Sequence, residues 1–269
     1  MTAAPRPLTR IEPLYLLFAF LGGCILLFII APLAGMVFKS SVSDLAGAAA
    51  EPEVRSSIWL TIWTSMAATC LLSTAAIPFA YLLARKTFPF KRLVTAIIDL
   101  PIVVPHTAAG IAILGAISRG SLVGTMADRV GIHFVGGAAG VMTAMAFVSL
   151  PYLINAAREG FGAVPEHLEK AALTLGASPA RVFFTIAVPL AWRHILSGLV
   201  LMWARGLSEF GAVVVIAYHP MVTPVLIYER FGAFGLKYAR PVAVIFLGVC
   251  LLFFIVVRLL ARERHDAVR

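Results

Sequence analysis

Charged residues are scarce in this sequence of 269 residues. Asp, Glu, Lys and Arg together make up 13% of the chain, and apolar residues make up 61%. A soluble domain has roughly 25% charged and 45–50% apolar residues. The mean hydropathy of +0.95 points the same way. This composition excludes an ordinary soluble protein, because it offers too little polar surface to face water, and it predicts an integral membrane protein.

Long runs without charge indicate where the chain crosses the bilayer. A hydrocarbon core about 30 Å thick needs about 20 apolar residues in a helix, and several runs in the sequence approach or exceed that length. One further run contains Arg205 and Glu209, and another is closed by Arg258. We therefore predict an all-α membrane protein with a single membrane domain over residues 1–269. The six predicted spans are residues 14–38, 57–83, 98–118, 134–157, 195–217 and 241–260.

Cysteines are few, and the motifs of several enzyme classes are absent. Cys24, Cys70 and Cys250 fall in three different predicted spans without a CxxC spacing, which excludes a disulfide framework and a thiolate metal site. The sequence contains no GxxxxGK[ST] phosphate loop and no GxSxG, HExxH or paired-carboxylate motif. We therefore expect a non-catalytic protein that binds no metal, cofactor or nucleotide of its own.

The basic residues are scattered along the chain. The net charge is +9, but there is no basic stripe or recognition motif for nucleic acid, so anionic lipid headgroups are the expected neighbours. If the N-terminus is cytoplasmic, the inner segments hold roughly twice as many Lys and Arg residues as the outer ones. The sequence thus predicts a multi-pass inner-membrane protein with Arg6, Arg10, Arg264 and Arg269, and hence both termini, in the cytoplasm.

The longest inner connection, residues 158–190, is predicted to contain two short helices. Residues 164–166 (Val-Pro-Glu) suit a first helical turn, and an apolar stripe follows until Gly176 ends the helix. Residues 178–179 (Ser-Pro) begin a second helix. The stripe consists of Leu168, Ala171, Ala172 and Leu175. Spacing alone leaves two interpretations open, a lever for a soluble partner and a helix lying on the lipid surface.

The same loop resembles the EAA loop of ABC-importer permeases. The pattern of that family is Glu-Ala-Ala, three residues, Gly, nine residues and Ile-x-Leu-Pro. Residues 171–172, Gly176 and Pro189 match its spacing. Lys170 stands where the family has its Glu, and Glu169 lies one residue earlier.

This resemblance implies the fold and partners of a type I ABC importer permease. The chain would pair with a second copy of itself and with two copies of an ABC ATPase subunit, which would bind the ATP. Residues 164–175 would be the coupling helix, and closure of the ATPases would rock the permeases between inward-open and outward-open forms. The loop residues assigned to coupling are Glu166, Leu168, Glu169, Lys170, Ala171, Ala172, Leu175, Gly176 and Pro189.

Three further segments resemble permeases for oxyanions. Residues 100–114 and 204–212 are similar to segments of molybdate, tungstate and sulfate permeases, and residues 215–231 together with His106 are closer to the molybdate/tungstate group. The resemblance implies a tetrahedral oxyanion as cargo, molybdate or tungstate, supplied by an extracytoplasmic binding protein. Sulfate or thiosulfate is the alternative. A weakly polar pathway suits such an anion, because a deep positive well would retain it. The candidate pathway residues are His106, Thr107, Ser149, Arg205, Ser208 and Glu209.

Ionisable residues within the predicted spans allow several interpretations. Arg205 and Glu209 are spaced i, i+4, which fits either a charge that senses the anion or an intrahelical ion pair that serves packing. His106 follows Pro105 in a proline-interrupted helix, where it could donate to the anion or bind a neighbouring helix. The rival class is an ion-coupled secondary transporter with Asp99, His106 and Glu209 as its relay, although the sequence shows no internal repeat.

Overall fold

Apolar segments punctuated by proline and glycine form helices throughout the part of the chain that the structure describes. The computed structural model describes the backbone of residues 13–263 and the side chains of residues 13–255. A π-helical turn, Phe183–Ala187, joins α9 to α10. In chain order the helices are α1 (Pro13–Phe38), α2 (Val42–Ala50), α3 (Pro52–Arg85), α4 (Lys91–Val103), α5 (His106–Ile117), α6 (Leu122–Arg129), α7 (Ala138–Ala163), α8 (Glu166–Thr174), α9 (Pro179–Val182), α10 (Val188–Leu207), α11 (Gly211–Ile216), α12 (Thr223–Phe234) and α13 (Leu236–Glu263).

Five of the described helices are long and apolar enough to cross a membrane. They are α1, α3, α7, the continuous helix Pro179–Leu207 and the described part of α13. Helices α4 and α5 together provide a sixth crossing if the two count as one span. The predicted all-α membrane fold is therefore confirmed.

Helix α7 lies at the centre of the bundle, between α3 and α10. Fully buried alanines on the three helices, Ala80, Ala157 and Ala191, let their backbones approach closely. Near the loop that follows α7, the Phe161 ring is fully buried and packs edge-on against the Tyr81 ring, with ring centroids 5.2 Å apart. This packing fixes the end of the bundle from which α8 emerges.

The third predicted span, residues 98–118, is not one continuous helix. Helices α4 and α5 are bent by 114° at the break between them. Val104 there is extended, with φ −68° and ψ 132°, because the ring of Pro105 disfavours a helical conformation for the residue before it. Pro105 also has no N–H group to continue the helical ladder. The apolar run continues across this proline, and for that reason the sequence predicts a single span here.

The boundaries of two other predicted spans also differ from the structure. Residues 195–217 include a break, since α10 ends at Leu207 and α11 begins at Gly211. Residues 134–157 begin before their helix, because Gly136 has a φ of +69° and α7 starts only at Ala138. A positive φ is incompatible with a right-handed helix and is readily adopted by glycine.

Helix α1 lies at the edge of the bundle, where it contacts α13. None of its residues is buried, so its apolar surface is available to lipid or to another chain. Arg6, Arg10, Arg264 and Arg269, the terminal residues predicted to lie in the cytoplasm, are outside the described residues.

Candidate functional site

A buried ion pair anchors helix α8 to the end of α3. Arg85 donates to Glu169 Oε1 from Nη2 at 2.6 Å and from Nε at 3.0 Å, and the Tyr81 hydroxyl donates to Oε2 at 2.8 Å. The side chains of Arg85 and Glu169 are only 10% and 8% exposed. Arg85 Nη2 also donates to the carbonyl oxygen of Val164 at 2.9 Å. One guanidinium group therefore holds both the helix and the chain that leads into it.

Lys170, which stands where the EAA pattern has its glutamate, pairs with a residue of its own helix. It is exposed, and its Nζ donates to Glu166 Oε2 at 2.8 Å in an i, i+4 pair. The Lys170 ammonium group lowers the pKa of the Glu166 carboxyl by this hydrogen bond and by its charge. Glu169, one residue earlier, makes the buried contact with the membrane helices.

The predicted apolar stripe of α8 is largely uncovered. Leu168, Ala171 and Leu175 are exposed, and Ala172 is half-buried. The exposed fraction of Leu175 reaches 88%. A short helix thus presents an apolar surface to the outside while the Glu169 carboxylate holds it to α3.

The corner after α8 follows the predicted pattern. Gly176 has a φ of +87°, its N–H donates to the Leu173 carbonyl oxygen at 3.0 Å, and the Ala177 N–H donates to that of Ala172 at 3.0 Å. These two bonds form a Schellman cap, which favours glycine at its left-handed position. The Ser178 hydroxyl then accepts the Arg181 N–H at 3.3 Å and begins α9.

Pro189 lies where the chain returns to the bundle. Because a proline has no N–H donor and crowds the preceding turn, the ladder widens before it, and the Val188 N–H bonds to the Phe183 carbonyl oxygen five residues earlier. The result is the π-helical turn between α9 and α10. π-Helices occur mostly as single turns of this kind within α-helices.

A second cluster forms where the two broken helices meet. His106 begins α5, Arg205 lies in the last turn of α10, and Glu209 follows α10. Arg205 Nη2 is 2.9 Å from Glu209 Oε2 and 2.9 Å from His106 Nε2, and His106 Nδ1 is 3.0 Å from the same carboxylate oxygen. The i, i+4 ion pair and the bond from His106 to another helix, both considered from the sequence, are present together, but Glu209 lies beyond the end of α10, so the pair is not intrahelical.

Glu209 stabilises the break between α10 and α11 through its second carboxylate oxygen, Oε1. Its Oε1 accepts the Ala212 N–H at 2.9 Å, which caps the start of α11 and favours the interruption of the helix. The residue is completely buried. A carboxylate that satisfies both an arginine and a helix N-terminus is tolerated at such depth because it is paired and hydrogen-bonded.

Two glycines allow the broken helices to approach each other. A Cβ atom on Gly211 would lie 2.8 Å from the Cβ of His106, and one on Gly110 would lie 2.9 Å from the Cα and the carbonyl oxygen of Ala212. Only glycine fits such close backbone contacts. The contact between α5 and α11 therefore places His106 against Arg205 and Glu209.

The other predicted pathway residues have different surroundings. Ser208 is exposed, and its hydroxyl receives a 3.3 Å contact from Arg205 Nη1, so it belongs to the cluster. Thr107 is exposed in the first turn of α5. Ser149 is buried within α7 and donates to the Met145 carbonyl oxygen at 2.6 Å, so the structure does not bring it together with the other candidates.

Of the three residues considered for a proton relay, His106 and Glu209 contact each other at 3.0 Å, whereas Asp99 is bound to a different partner. Asp99 Oδ1 accepts a hydrogen bond from Asn155 Nδ2 at 2.7 Å, which links α4 to α7. His106 and Glu209 also contact Arg205. In the described residues, no group of three or more His, Cys, Asp or Glu side chains is arranged to hold a metal ion.

Several residues that build these two sites are not predicted from the sequence. Tyr81 and Arg85 face Glu169, and Gly110 and Gly211 permit the helix contact. The one available signal was the i, i+4 spacing of Tyr81 and Arg85 at the end of a predicted span, which places them on one face. Which loop residue they meet depends on the tertiary fold.

Comparison with known proteins gives consistent matches over most of the chain. Residues 76–266 match the family described as "binding-protein-dependent transport system inner membrane component". The molybdate/tungstate transport system permease protein of Thermococcus kodakarensis is 39% identical over 251 residues, which are 93% of this chain and 96% of that protein. The sulfate transport system permease protein CysT of Synechocystis is 30% identical, over 88% of this chain and 85% of its own length.

A solved structure matches the fold over the whole chain. It is the bacterial alginate ABC transporter in complex with an alginate pentasaccharide-bound periplasmic protein. One chain of that complex aligns with a TM-score of 0.72 and 17% identity, covering 98% of each chain. At this identity the match concerns the fold alone.

Proposed function

Since this chain belongs to the binding-protein-dependent transport system inner membrane component family, we propose that it is the membrane-spanning subunit of an ABC importer for molybdate or tungstate. The observation that supports this choice of cargo is the 39% identity to a molybdate/tungstate permease over nearly the full length of both chains. The 30% identity to a sulfate permease makes sulfate the second candidate.

Helix α8 is the element through which a separate ATPase subunit drives the permease. Its exposed apolar stripe offers a docking surface, as a short helix inserted into a groove does. The Glu169–Arg85 pair connects the same helix to α3, so a push on α8 is transmitted to a membrane helix. In this proposal, two copies of the ATPase act on two copies of the permease. The protein lies in the inner membrane, with α8 and both chain termini on the cytoplasmic side.

The pathway runs along the two-fold axis of a homodimer, past the junction of α5, α10 and α11. Half-helix ends in broken membrane helices commonly line such routes, and here the junction carries partly exposed polar groups. An extracytoplasmic binding protein delivers the anion and supplies most of the selectivity.

Reconstitution tests this function directly. The permease, its ATPase subunit and its binding protein are incorporated into vesicles, and uptake of molybdate, tungstate and sulfate is measured with and without ATP. We expect molybdate and tungstate to be taken up only when both ATP and the binding protein are present. Uptake that follows a proton gradient without ATP would instead identify a secondary transporter.

Calorimetry on the cognate binding protein separates the cargoes. We expect molybdate and tungstate to bind much more tightly than sulfate, because the selection occurs before the membrane is reached. Sulfate binding as tight as that of the other two anions would overturn the choice of cargo and leave the importer assignment intact.

A further inference from the structure

The charges at the junction of the broken helices are arranged in layers. The Glu209 side chain is completely buried, the Arg205 side chain is 20% exposed and that of His106 is 36% exposed. The carboxylate therefore lies on the buried side of the cluster, and the guanidinium and imidazole groups lie on its accessible, or open, side. An anion arriving from the open side meets donors first.

Additional donors surround the guanidinium group. Its Nη1 contacts Ser208 Oγ at 3.3 Å, longer than a usual hydrogen bond. The Ser208 hydroxyl donates to the Arg205 carbonyl oxygen at 3.1 Å and can rotate toward a ligand, because the Ser208 and Thr107 side chains are exposed. Helix α5 has 12 residues and no side-chain cap at its N-terminus, so its first N–H groups and positive dipole end also face this region. Two hydroxyls, a guanidinium and a helix N-terminus match the acceptors of a tetrahedral oxyanion.

His106 is a second partner of Arg205. Arg205 Nη2 lies 2.8 Å from His106 Nδ1 and 2.9 Å from His106 Nε2, and His106 Nδ1 lies 3.0 Å from Glu209 Oε2. The guanidinium group has only donors, so each of its hydrogen bonds can be exchanged for one to an incoming oxygen atom. Arg205 can thus reach an anion without leaving Glu209.

We propose that Arg205, Ser208 and Thr107 form a contact site for the oxyanion in transit, and that the buried Glu209 carboxylate neutralises Arg205 so that the anion is released. This inference rests on the proposed function. An unpaired arginine in a low-dielectric setting would attract a dianion strongly and hold it. With Glu209 in place, the net charge of the pair is zero, and the hydrogen-bond donors guide the anion without retaining it.

A purely structural role for Glu209 is the competing explanation, because its Oε1 also caps α11. Glu209→Gln separates the two roles, since the amide oxygen can still accept the Ala212 N–H while the negative charge is lost. Asp128→Asn is the matched control. Asp128 is likewise paired with an arginine and a histidine, Arg119 at 3.9 Å and His133 at 2.9 Å, but it lies outside the junction, on α6.

The experiment uses the permease–ATPase complex and measures two quantities. Retention of radiolabelled molybdate is measured on the complex without binding protein, and uptake is measured in vesicles with it. We expect Glu209→Gln to retain molybdate about tenfold more tightly than the native complex, with slower uptake. Arg205→Gln should lose both retention and uptake, and Arg205→Gln/Glu209→Gln, which restores net neutrality, should lose the excess retention. Asp128→Asn should behave as the native protein does.

Each outcome decides the question. If the native complex imports molybdate and the Glu209→Gln complex retains molybdate no more tightly than the native one, this inference is overturned and the proposed function stands. A native complex that imports no oxyanion overturns the proposed function itself. If Glu209→Gln does not assemble, Ser208→Ala and Thr107→Val decide the matter, because both residues are exposed. Reduced uptake with unchanged ATP hydrolysis supports the site, and unchanged uptake in both variants contradicts it.

Discussion

Arg85 Nη2 lies 2.6 Å from Glu169 Oε1, and this pair joins the end of a membrane helix to a helix in the loop. Both side chains are about nine-tenths buried, so neither charge has water as an alternative partner. The contact makes α8 part of the bundle, although most of the surface of α8 is exposed.

Loss of one partner of this pair should be costly. Glu169→Ala leaves the Arg85 guanidinium buried without its counter-charge, and breaking a buried pair in this way destabilises a protein by about 3–5 kcal/mol. We expect a clear fall in the melting temperature of the solubilised protein and less cargo transported per ATP hydrolysed. Glu166→Ala removes an exposed carboxylate from the same helix and should leave both quantities nearly unchanged. Equal melting temperatures for the two variants would contradict the anchoring role.

The glycine corner after α8 should tolerate only residues that accept a positive φ. Gly176→Val places a β-branched side chain at a φ of +87°, a conformation that such residues strongly disfavour. We expect ATP hydrolysis to continue while uptake falls, because α8 no longer ends in its native orientation. Asparagine adopts this conformation more readily, so Gly176→Asn should retain most of the coupling. Full uptake in Gly176→Val would remove the basis for this role.

Glu166 should titrate below the ordinary carboxyl value because of Lys170. The Lys170 ammonium group lowers the pKa of Glu166 from 4.5, so the pair stabilises the folded helix above the unfolded-state pKa and loses that contribution as the pH falls through the lowered value. The pair is therefore intact throughout the neutral range. Carboxyl carbon shifts of the labelled protein, assigned with Glu166→Gln, should show the Glu166 pKa rising in Lys170→Gln. An unchanged titration would contradict the pairing.

The close contact between α5 and α11 predicts a difference between two glycines of one helix. A Cβ on Gly110 would meet the backbone of Ala212 at 2.9 Å, whereas nothing lies within 4 Å of one on Gly115. Gly110→Ala should therefore cost about 1–3 kcal/mol through overpacking and slow transport by moving His106 away from Arg205. Gly115→Ala should be neutral or slightly stabilising. Comparison of melting temperatures tests this, and equal losses would show that the contact is unimportant.

Much of the fold could be predicted from the sequence because lipid imposes a simple rule. Apolar length alone indicates the long membrane-spanning helices but not the short helices α2, α6 and α12. The corner at Gly176 follows from glycine and serine chemistry at fixed positions. The break at residues 208–210 could not be predicted in this way. It depends on the Glu209 carboxylate reaching the Ala212 N–H, and nothing in the spacing distinguishes that role from an ordinary intrahelical pair.

The candidate sites were predicted in part, for a related reason. His106, Arg205 and Glu209 were identified because ionisable residues in membrane spans are rare. Their assembly depends on Gly110 and Gly211, whose importance appears only when two helices are placed side by side. Ser149 was included because it is polar, yet a hydroxyl in a helix is readily satisfied by the carbonyl oxygen four residues earlier. Polarity alone therefore did not distinguish a lining residue from a packed one.

The bend between α4 and α5 has an electrical consequence. With 13 and 12 residues, the two limbs are only about 20 Å and 18 Å long, and neither alone crosses a hydrocarbon layer about 30 Å thick. If water reaches the exposed Pro105 and Thr107, the insulating layer at this place is thin, and the membrane voltage falls steeply across it. Moving a charge through 100 mV takes about 2.3 kcal/mol, and a dianion carries two. On the proposed pathway, most of the work of importing it against a negative interior would then be concentrated in one short step past residues 104–107.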